Sequence, residues 1–360
     1  MEYDYIIIGA GLYGSMFAYN ATRFGKKCLV IDKADNVGGL CYSKEENGIE
    51  VHQYGAHIFR TDSKRVWDFV NSICEFVPFV NAPIAKNGDE VYNLPFNMNT
   101  FHALFGVSTP DEAIEKIRSE CEHIEYPKNL EEFVLTKVGR TIYEKLIKGY
   151  TEKQWGVPCS MLPVSTMSRI PMRFVYDNNY YNETYQGIPV IGYTAFIKRL
   201  LAGSDIITGY NFARQNIENA CIKGIKVLYT GSVDELCDYC YGRLNYRSVR
   251  FDTRYMPDCD NFQGNAVVNY TGHDVIYTRS IEHKHFMSRK EVKGTIVTYE
   301  YPCKTGDGEQ PAYPMLDTES KALYNKYVEK IKAEMPNVIL GGRLGLYRYY
   351  SMNEIIESFV

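Results

Sequence analysis

Tryptophan is almost missing from this 360-residue chain, which has only Trp67 and Trp155 against 31 tyrosines. Half-buried and polar aromatic positions therefore fall to tyrosine, whose ring packs while its hydroxyl stays available for hydrogen bonding. Long apolar runs are also lacking. None approaches the roughly 18 residues that argue for a membrane-spanning helix, so no span is expected. There is no basic excess: 40 Lys and Arg face 44 Asp and Glu, a net charge of −4. No global field draws nucleic acid, and any phosphate must be held by local arginines and backbone amides. The ten cysteines are scattered, which argues against a disulfide framework and for a reducing cytoplasm. The single CxxC, Cys237 and Cys240, has no second pair at zinc-like spacing and reads as two small residues on one helical turn. The start, MEYDYIIIGAG, lacks the basic segment and cleavage site of a signal peptide. No internal repeat or low-complexity linker divides the chain, so its two or three structural units are expected to interleave.

What is present begins with a βαβ pattern. YDYIIIG (3–9) reads as a buried strand, 12–24 as a helix ended by Gly25, and KCLVID (27–32) as a second buried strand. Helical spacing returns over 62–74. From 108 to 150 the pattern is the most helical in the chain, opening with Ser108 or Thr109 as N-cap followed by a proline and acids. GYTAFIKRLLAG reads as another helix and KVLYTG as a strand. Alternation in SVRFDTRY, NAVVNYT and GTIVTYEY points to an antiparallel sheet between 245 and 302. His283 and His285 are read there as structural residues on one strand face. No third ligand accompanies them, so no metal is expected.

Gly9-Ala10-Gly11-Leu12-Tyr13-Gly14 is a GxGxxG that follows a strand and opens a helix. In that context the helix N-terminus receives a pyrophosphate, and glycine lets the backbone approach it. Asp32, at the end of the second strand, is placed to accept from ribose hydroxyls. Gly38-Gly39 after the acid, the late cluster Gly341-Gly342-Arg343 and the absence of a second GxGxxG favour FAD over NAD. Ser351-Met352-Asn353-Glu354 fits a capping box, whose helix would turn its positive end toward the cofactor.

The stretches GAGLYG, YGAHIF, NLPFNMNTF, IKGYTEKQWG, RIPMRF, DNNYY, YQGIPV, FQGNAV, YTRSIEHKHF and GGRLGLYRYY together resemble the bacterial UDP-galactopyranose mutases, from the first strand to the last helix. The resemblance implies an α/β fold: an FAD-binding Rossmann-like domain with an inserted helical bundle and an antiparallel β-sheet domain. On that basis 1–75, 190–240 and 320–360 form the discontinuous FAD domain, 100–155 the helical subdomain, and 76–99, 156–189 and 241–319 the sheet that takes substrate. It implies a redox-neutral interconversion of UDP-galactopyranose and UDP-galactofuranose, feeding cell-surface polysaccharide synthesis. The reaction requires reduced FAD and passes through a covalent adduct of flavin N5 with the sugar. A homodimer in the cytoplasm is the implied setting.

Carried over by motif, Arg169 and Arg279 match the arginines that hold the diphosphate, a task suited to the guanidinium fork. Tyr150 matches a uracil-stacking position, Trp155 lies on a mobile lid, and Tyr180, Tyr313 and Tyr349 match tyrosines that bond the diphosphate. Asn81 and Asn269 are further substrate contacts. Arg343 matches an arginine near the FAD phosphates, joined by Gly9, Gly11, Gly14, Asp32, Gly38, Gly39, Ser351 and Met352 on the cofactor side. Two positions depart from the pattern. Ser351 stands where the family commonly has Asp, which keeps the cap and loses a charge. Arg60 follows YGAHIF where a histidine is typical, while His57 is retained. Arginine there resembles variants that accept UDP-N-acetylgalactosamine, since five N–H donors and a longer reach suit an acetamido oxygen. An FAD-dependent oxidoreductase is the reading from a different class, since the same glycine signature would serve it.

Overall fold

The computed structural model describes residues 3–167, 170–287, 291–306 and 310–360. Its N-terminal strand Tyr5–Ile8 is an apolar run with its two central residues buried, as befits a parallel strand covered on both faces. It sits at the centre of a five-stranded parallel sheet. The order is Asp205–Ile207, Cys28–Ile31, Tyr5–Ile8, Lys226–Tyr229 and Val338–Leu340. Helix Leu12–Arg23 makes the first crossover. The chain leaves the central strand toward one edge first and toward the other later, so its carboxyl end is the switch point where α/β sheets bind ligands.

A second sheet has seven strands, in the order Tyr313–Pro314, Tyr246–Met256, Thr295–Lys304, Arg279–Glu282, Val267–Tyr270, Ile84–Asn87 and Glu90–Asn93. It is antiparallel except at one seam, where Val267–Tyr270 runs parallel to Ile84–Asn87. The exception follows from connectivity. The two strands lie far apart in sequence with the helical unit between them, and a parallel pair needs a long crossover of that kind. A third, three-stranded sheet orders Phe59–Thr61, Tyr185–Pro189 and Phe76–Pro78.

The helical unit comprises Met98–Phe105, Pro110–Glu120, Leu130–Ile142, a π-helical stretch Tyr143–Lys148 and Gly149–Trp155. Its caps follow local chemistry. Asn97 and Thr109 each form a capping box, and Asn129 accepts from the Glu132 amide. Thr109, not Ser108, is the cap, with Pro110 at the first helical position. Phe101, Leu130, Val134, Val138, Ile142 and Tyr143 fill this unit's core. Thr109→Ala is expected to lower stability by about 1 kcal/mol and Phe101→Ala by roughly 3–5 kcal/mol in urea unfolding. Equal losses would contradict this division between cap and core.

Candidate active site

The glycine turn is built for backbone contact. Gly9 has φ 106°, and a Cβ there would stand 1.9 Å from Thr230 Oγ1, which itself donates to the Ile8 carbonyl at 2.8 Å. At Gly14 a Cβ would fall 2.0 Å from the Gly9 carbonyl oxygen. The second glycine pair docks on the first. Gly38 N–H donates to Ala10 O at 2.9 Å, and a Cβ on Gly39 would be 3.0 Å from Gly11 Cα. Asp32 accepts from the amides of Ala10 (2.7 Å) and Ala34 (2.9 Å). It thus braces the turn as well as standing at the mouth where a ribose would lie.

These residues fit a dinucleotide. Helix Leu12–Arg23 has no side-chain cap and no acid in its first turn, so its leading amides are left for an anion. Two buried polar atoms, His52 Nε2 and the Tyr193 hydroxyl, lack hydrogen-bond partners among the described residues. Their rings lie 5.4 Å apart, and Tyr193 is within electrostatic reach of Cys41 beside the second glycine pair. Arg343 donates to Ala312 O and Tyr350 O, both at 3.1 Å, with its guanidinium 4.7 Å from the Tyr349 ring. Next along the chain, Ser351 caps helix Met352–Glu357 in a full capping box with Glu354, and Met352 packs on the central core.

The substrate-side cluster is set by strand register. Asn269, Arg279 and Glu300 stand directly opposite one another on three adjacent strands, so their side chains share a face. Arg279 donates from Nε to Asn269 Oδ1 (3.2 Å) and from Nη2 to the Tyr150 hydroxyl (3.2 Å), and its Nη1 lies 3.4 Å from Glu300 Oε2. Glu300, only 7% exposed, holds the guanidinium pKa well above its ordinary value, with Tyr150 adding to the effect. Burial raises the Tyr150 hydroxyl and pushes that of Tyr313 up to about 12, so both stay protonated donors at neutral pH. Tyr180 and Tyr313 lie within electrostatic reach of Arg279, and Tyr313 stacks on Tyr349 at 6.4 Å. The Tyr180 amide donates to the carbonyl of buried Asn81 at 2.7 Å. Trp155 ends helix Gly149–Trp155 and packs on the helical core. Arg169 lies outside the described residues.

The segment around His57 crosses this cluster. A Cβ on Gly55 would stand 3.0 Å from Glu300 Oε1, and the Gly55 carbonyl is 2.8 Å from His57 Nδ1. A chain of such contacts assigns three tautomers. His57 carries its proton on Nδ1, leaving Nε2 as an acceptor. His52 Nδ1 accepts from the His57 amide, so its proton is on Nε2. His283 Nδ1 accepts from the His52 amide, and its Nε2–H donates to Thr298 Oγ1 at 2.8 Å. Burial depresses His57 to about 4 and His283 to about 3, so both rings are neutral. His283 and His285 lie on a 3₁₀ turn, His283–Phe286, not on a strand. The strand Arg279–Glu282 ends just before them. His283 points to Thr298, whereas His285 meets Asn261 Oδ1 at 3.1 Å.

Arg60 sits in the middle of strand Phe59–Thr61. Its guanidinium lies 4.3 Å from the Tyr181 ring centroid and pairs with the Glu183 carboxylate. Glu183, Tyr181 and Glu300 went unrecognised in the sequence. Glu183 and Tyr181 meet Arg60 only through folding. Glu300 had a signal: by period two it shares a face with Ile296 and Thr298, and an acid on so apolar a strand calls for a buried partner.

Comparisons with known proteins fall on the same segments. A family model described as UDP-galactopyranose mutase matches residues 145–349, and one for an NAD(P)-binding Rossmann-like domain matches residues 7–73. A probable UDP-galactopyranose mutase of Klebsiella pneumoniae is 37% identical over 358 residues, covering 98% of this chain and 92% of that protein. A dTDP-fucopyranose mutase of Escherichia coli is 35% identical over 363 residues, covering 99% and 96%. A crystal structure of reduced UDP-galactopyranose mutase aligns with a TM-score of 0.72 over 99% of this chain and 94% of that one. Its 14% identity limits that likeness to the fold.

The buried histidines make stability depend on pH. Their folded pKa values lie below the ordinary 6.5, so the unfolded chain binds protons that the folded chain refuses. Stability is full above about 6.5 and falls as pH drops toward 4. His283→Gln keeps one donor and one acceptor. It is expected to flatten the slope of unfolding free energy between about pH 6 and 4.5 by up to about 1.4 kcal/mol per pH unit, read from urea titrations. An unchanged slope would contradict the neutral assignment.

Proposed function

The chain belongs to the UDP-galactopyranose mutase family, and from that premise we propose that it interconverts UDP-galactopyranose and UDP-galactofuranose. The observation that carries this reading is the Arg279–Tyr150–Asn269–Glu300 cluster beside a dinucleotide cradle. Reduced FAD, when bound, supplies the nucleophile for the anomeric carbon, and the reaction ends with no net redox change.

The protein's own task is to let UDP leave without losing it. Arg279 takes charge developing on the departing diphosphate through paired charge-assisted hydrogen bonds. Glu300 keeps that guanidinium charged and oriented before substrate arrives. Tyr180, Tyr313 and Tyr349 donate without adding fixed positive charge, so UDP is held and can still return. Arg169 is assigned as the second diphosphate arginine, Tyr150 and Trp155 to the nucleotide, and Asn81 and Asn269 to substrate. His57, neutral with a free lone pair on Nε2, serves as a hydrogen-bond acceptor in the pocket. The uncapped Leu12–Arg23 helix, Gly9, Gly11, Gly14, Gly38, Gly39, Asp32 and Arg343 hold FAD, with Ser351 and Met352 at its edge. We also read the protein as a homodimer of the cytoplasm; no disulfide joins the cysteines among the described residues.

Arg60 favours a second sugar. Pairing with Glu183 and stacking on Tyr181 orient its guanidinium and leave further N–H donors for an acetamido oxygen of UDP-N-acetylgalactopyranose. Arg60→His is expected to lower kcat/KM for the N-acetyl sugar roughly 5–10-fold, the worth of about one hydrogen bond, relative to UDP-galactose. An unchanged ratio would reject this preference.

The decisive assay gives the purified protein UDP-galactofuranose with and without dithionite and follows products by chromatography. A parallel arm uses the dTDP sugar series, because the Escherichia coli relative is a dTDP-fucopyranose mutase. Pyranose formed only after reduction supports the proposal. Substrate oxidation with oxygen uptake would support an FAD-dependent oxidoreductase, and turnover confined to dTDP sugars would reassign the nucleotide.

A further inference from the structure

We propose that Lys153 is a positioning residue for substrate binding. Its ammonium group pins helix Gly149–Trp155 to the turn between strands Val267–Tyr270 and Arg279–Glu282. It thereby sets where Tyr150, Asn269 and Arg279 stand relative to one another. The inference rests on the reading of those three residues as the substrate cluster.

These seven residues, about two turns, continue the π-helical stretch Tyr143–Lys148 without a break in helical backbone and form the end of that run. Tertiary anchors set where this end lies, and three are visible. At its start, the backbone of Gly149 lies against the turn, where a Cβ would stand 2.2 Å from Thr271 O. Thr271 Oγ1 in turn donates to Lys145 O at 2.7 Å. At its end, Arg247 donates to Gln154 O (3.0 Å) and Lys153 O (3.5 Å), a cation at a helix C-terminus. A Cβ on Gly156 would be 3.1 Å from Arg247 Nη1, so the chain turns directly over that guanidinium.

Lys153 supplies the third anchor, and only this one spans both limbs of the turn. Its Nζ donates to Tyr270 O (2.9 Å), Tyr277 O (3.1 Å) and Val275 O (3.2 Å). Three N–H donors meet three carbonyls, which uses the ammonium fully. Tyr270 follows Asn269 on one limb, and Tyr277 stands two residues before Arg279 on the other. One side chain therefore ties the Asn269 strand to the Arg279 strand, and ties both to the helix whose second residue is Tyr150. The Arg279–Tyr150 contact of 3.2 Å closes this frame.

The grip is sensitive to protonation. Burial lowers the Lys153 pKa to about 8, and Asp274 on the turn opposes the shift in part. The other charged groups near the frame are engaged locally. Glu152 Oε2 lies 3.4 Å from His273 Nε2, Glu152 Oε1 accepts from the Cys159 amide, and Arg247 bonds helix carbonyls. Below about 8 the ammonium satisfies all three carbonyls. Above it the neutral amine has two donors, and one carbonyl loses its partner. The frame is expected to loosen as pH rises through that value.

The test follows KM and kcat for the nucleotide sugar with reduced holoenzyme, from about pH 7 to 9, in wild type, K153M and K153R. Running the variants side by side cancels titration of the nucleotide base, which all three share. The proposal expects wild-type KM to rise roughly 3–10-fold with a smaller change in kcat. K153M starts with raised KM at pH 7 and shows no limb near 8. K153R, charged throughout, moves the limb out of range, and flavin content stays the same in all three. A wild-type KM that is flat across this range, or a K153M profile like that of wild type, overturns the proposal. Should K153M fail to fold, wild type against K153R decides. R279K is assayed in parallel. If it binds substrate as wild type does, the substrate cluster itself is misassigned. If it loses binding while the Lys153 profiles are indistinguishable, only the role of Lys153 fails.

Discussion

The site turns on one ion pair between buried Glu300 and half-buried Arg279. Arg279 is held on its strand by Glu300 directly across the ladder, with Asn269 opposite on the other side. Taking the Glu300 carboxylate out of water is costly, and its attraction to Arg279 repays it only when the remaining hydrogen bonds are made. Asn269 and Tyr150 make them. Such a pair contributes little to net stability. In the proposed reaction its value is a guanidinium that is charged and oriented before a diphosphate arrives, so little reorganisation remains to be done when charge develops on the leaving group.

Each of the three sheets carries residues assigned to the site. The parallel sheet ends in the glycine turn, whose backbone-to-backbone docking leaves the amides of helix Leu12–Arg23 for an anion. The seven-stranded sheet supplies Asn269, Arg279 and Glu300. The small sheet carries Arg60 beside Tyr181 and Glu183. The segment Gly55–His57 lies against the seven-stranded sheet, with Gly55 at a φ of 97° that favours glycine and a Cβ there 3.0 Å from Glu300 Oε1. Its glycine lets His57 stand beside the cluster as a neutral acceptor, and the linked tautomers of His57, His52 and His283 carry that constraint into the core.

Local chemistry was legible in the sequence. The first strand, helix and second strand, the Thr109 and Ser351 caps and the glycine turn each follow from residues within a few positions. Arg279, Tyr150 and Asn269 came from motif resemblance, and folding brings them into direct contact. What stayed hidden depends on distant pairing. Glu300 reads as one acid in a strand until register sets it opposite Arg279. Glu183 meets Arg60 across 123 residues, and Lys153 meets its carbonyls across 117 or more. The alternation of Arg279–Glu282 runs on through His283 and His285 in the sequence, whereas the chain leaves the sheet at Glu282 and turns into a 3₁₀ helix. The parallel seam between Ile84–Asn87 and Val267–Tyr270 was equally out of reach of local pattern.

The central claim is that Arg279, poised by Glu300, holds the nucleotide diphosphate. Calorimetric titration of UDP into wild type and R279Q tests it most directly, with bound flavin measured in both. Loss of the charge-assisted bonds, with Glu300 left unpaired against the diphosphate, predicts binding weaker by about 30-fold or more at unchanged flavin content. UDP affinity in R279Q equal to that of wild type would contradict the account.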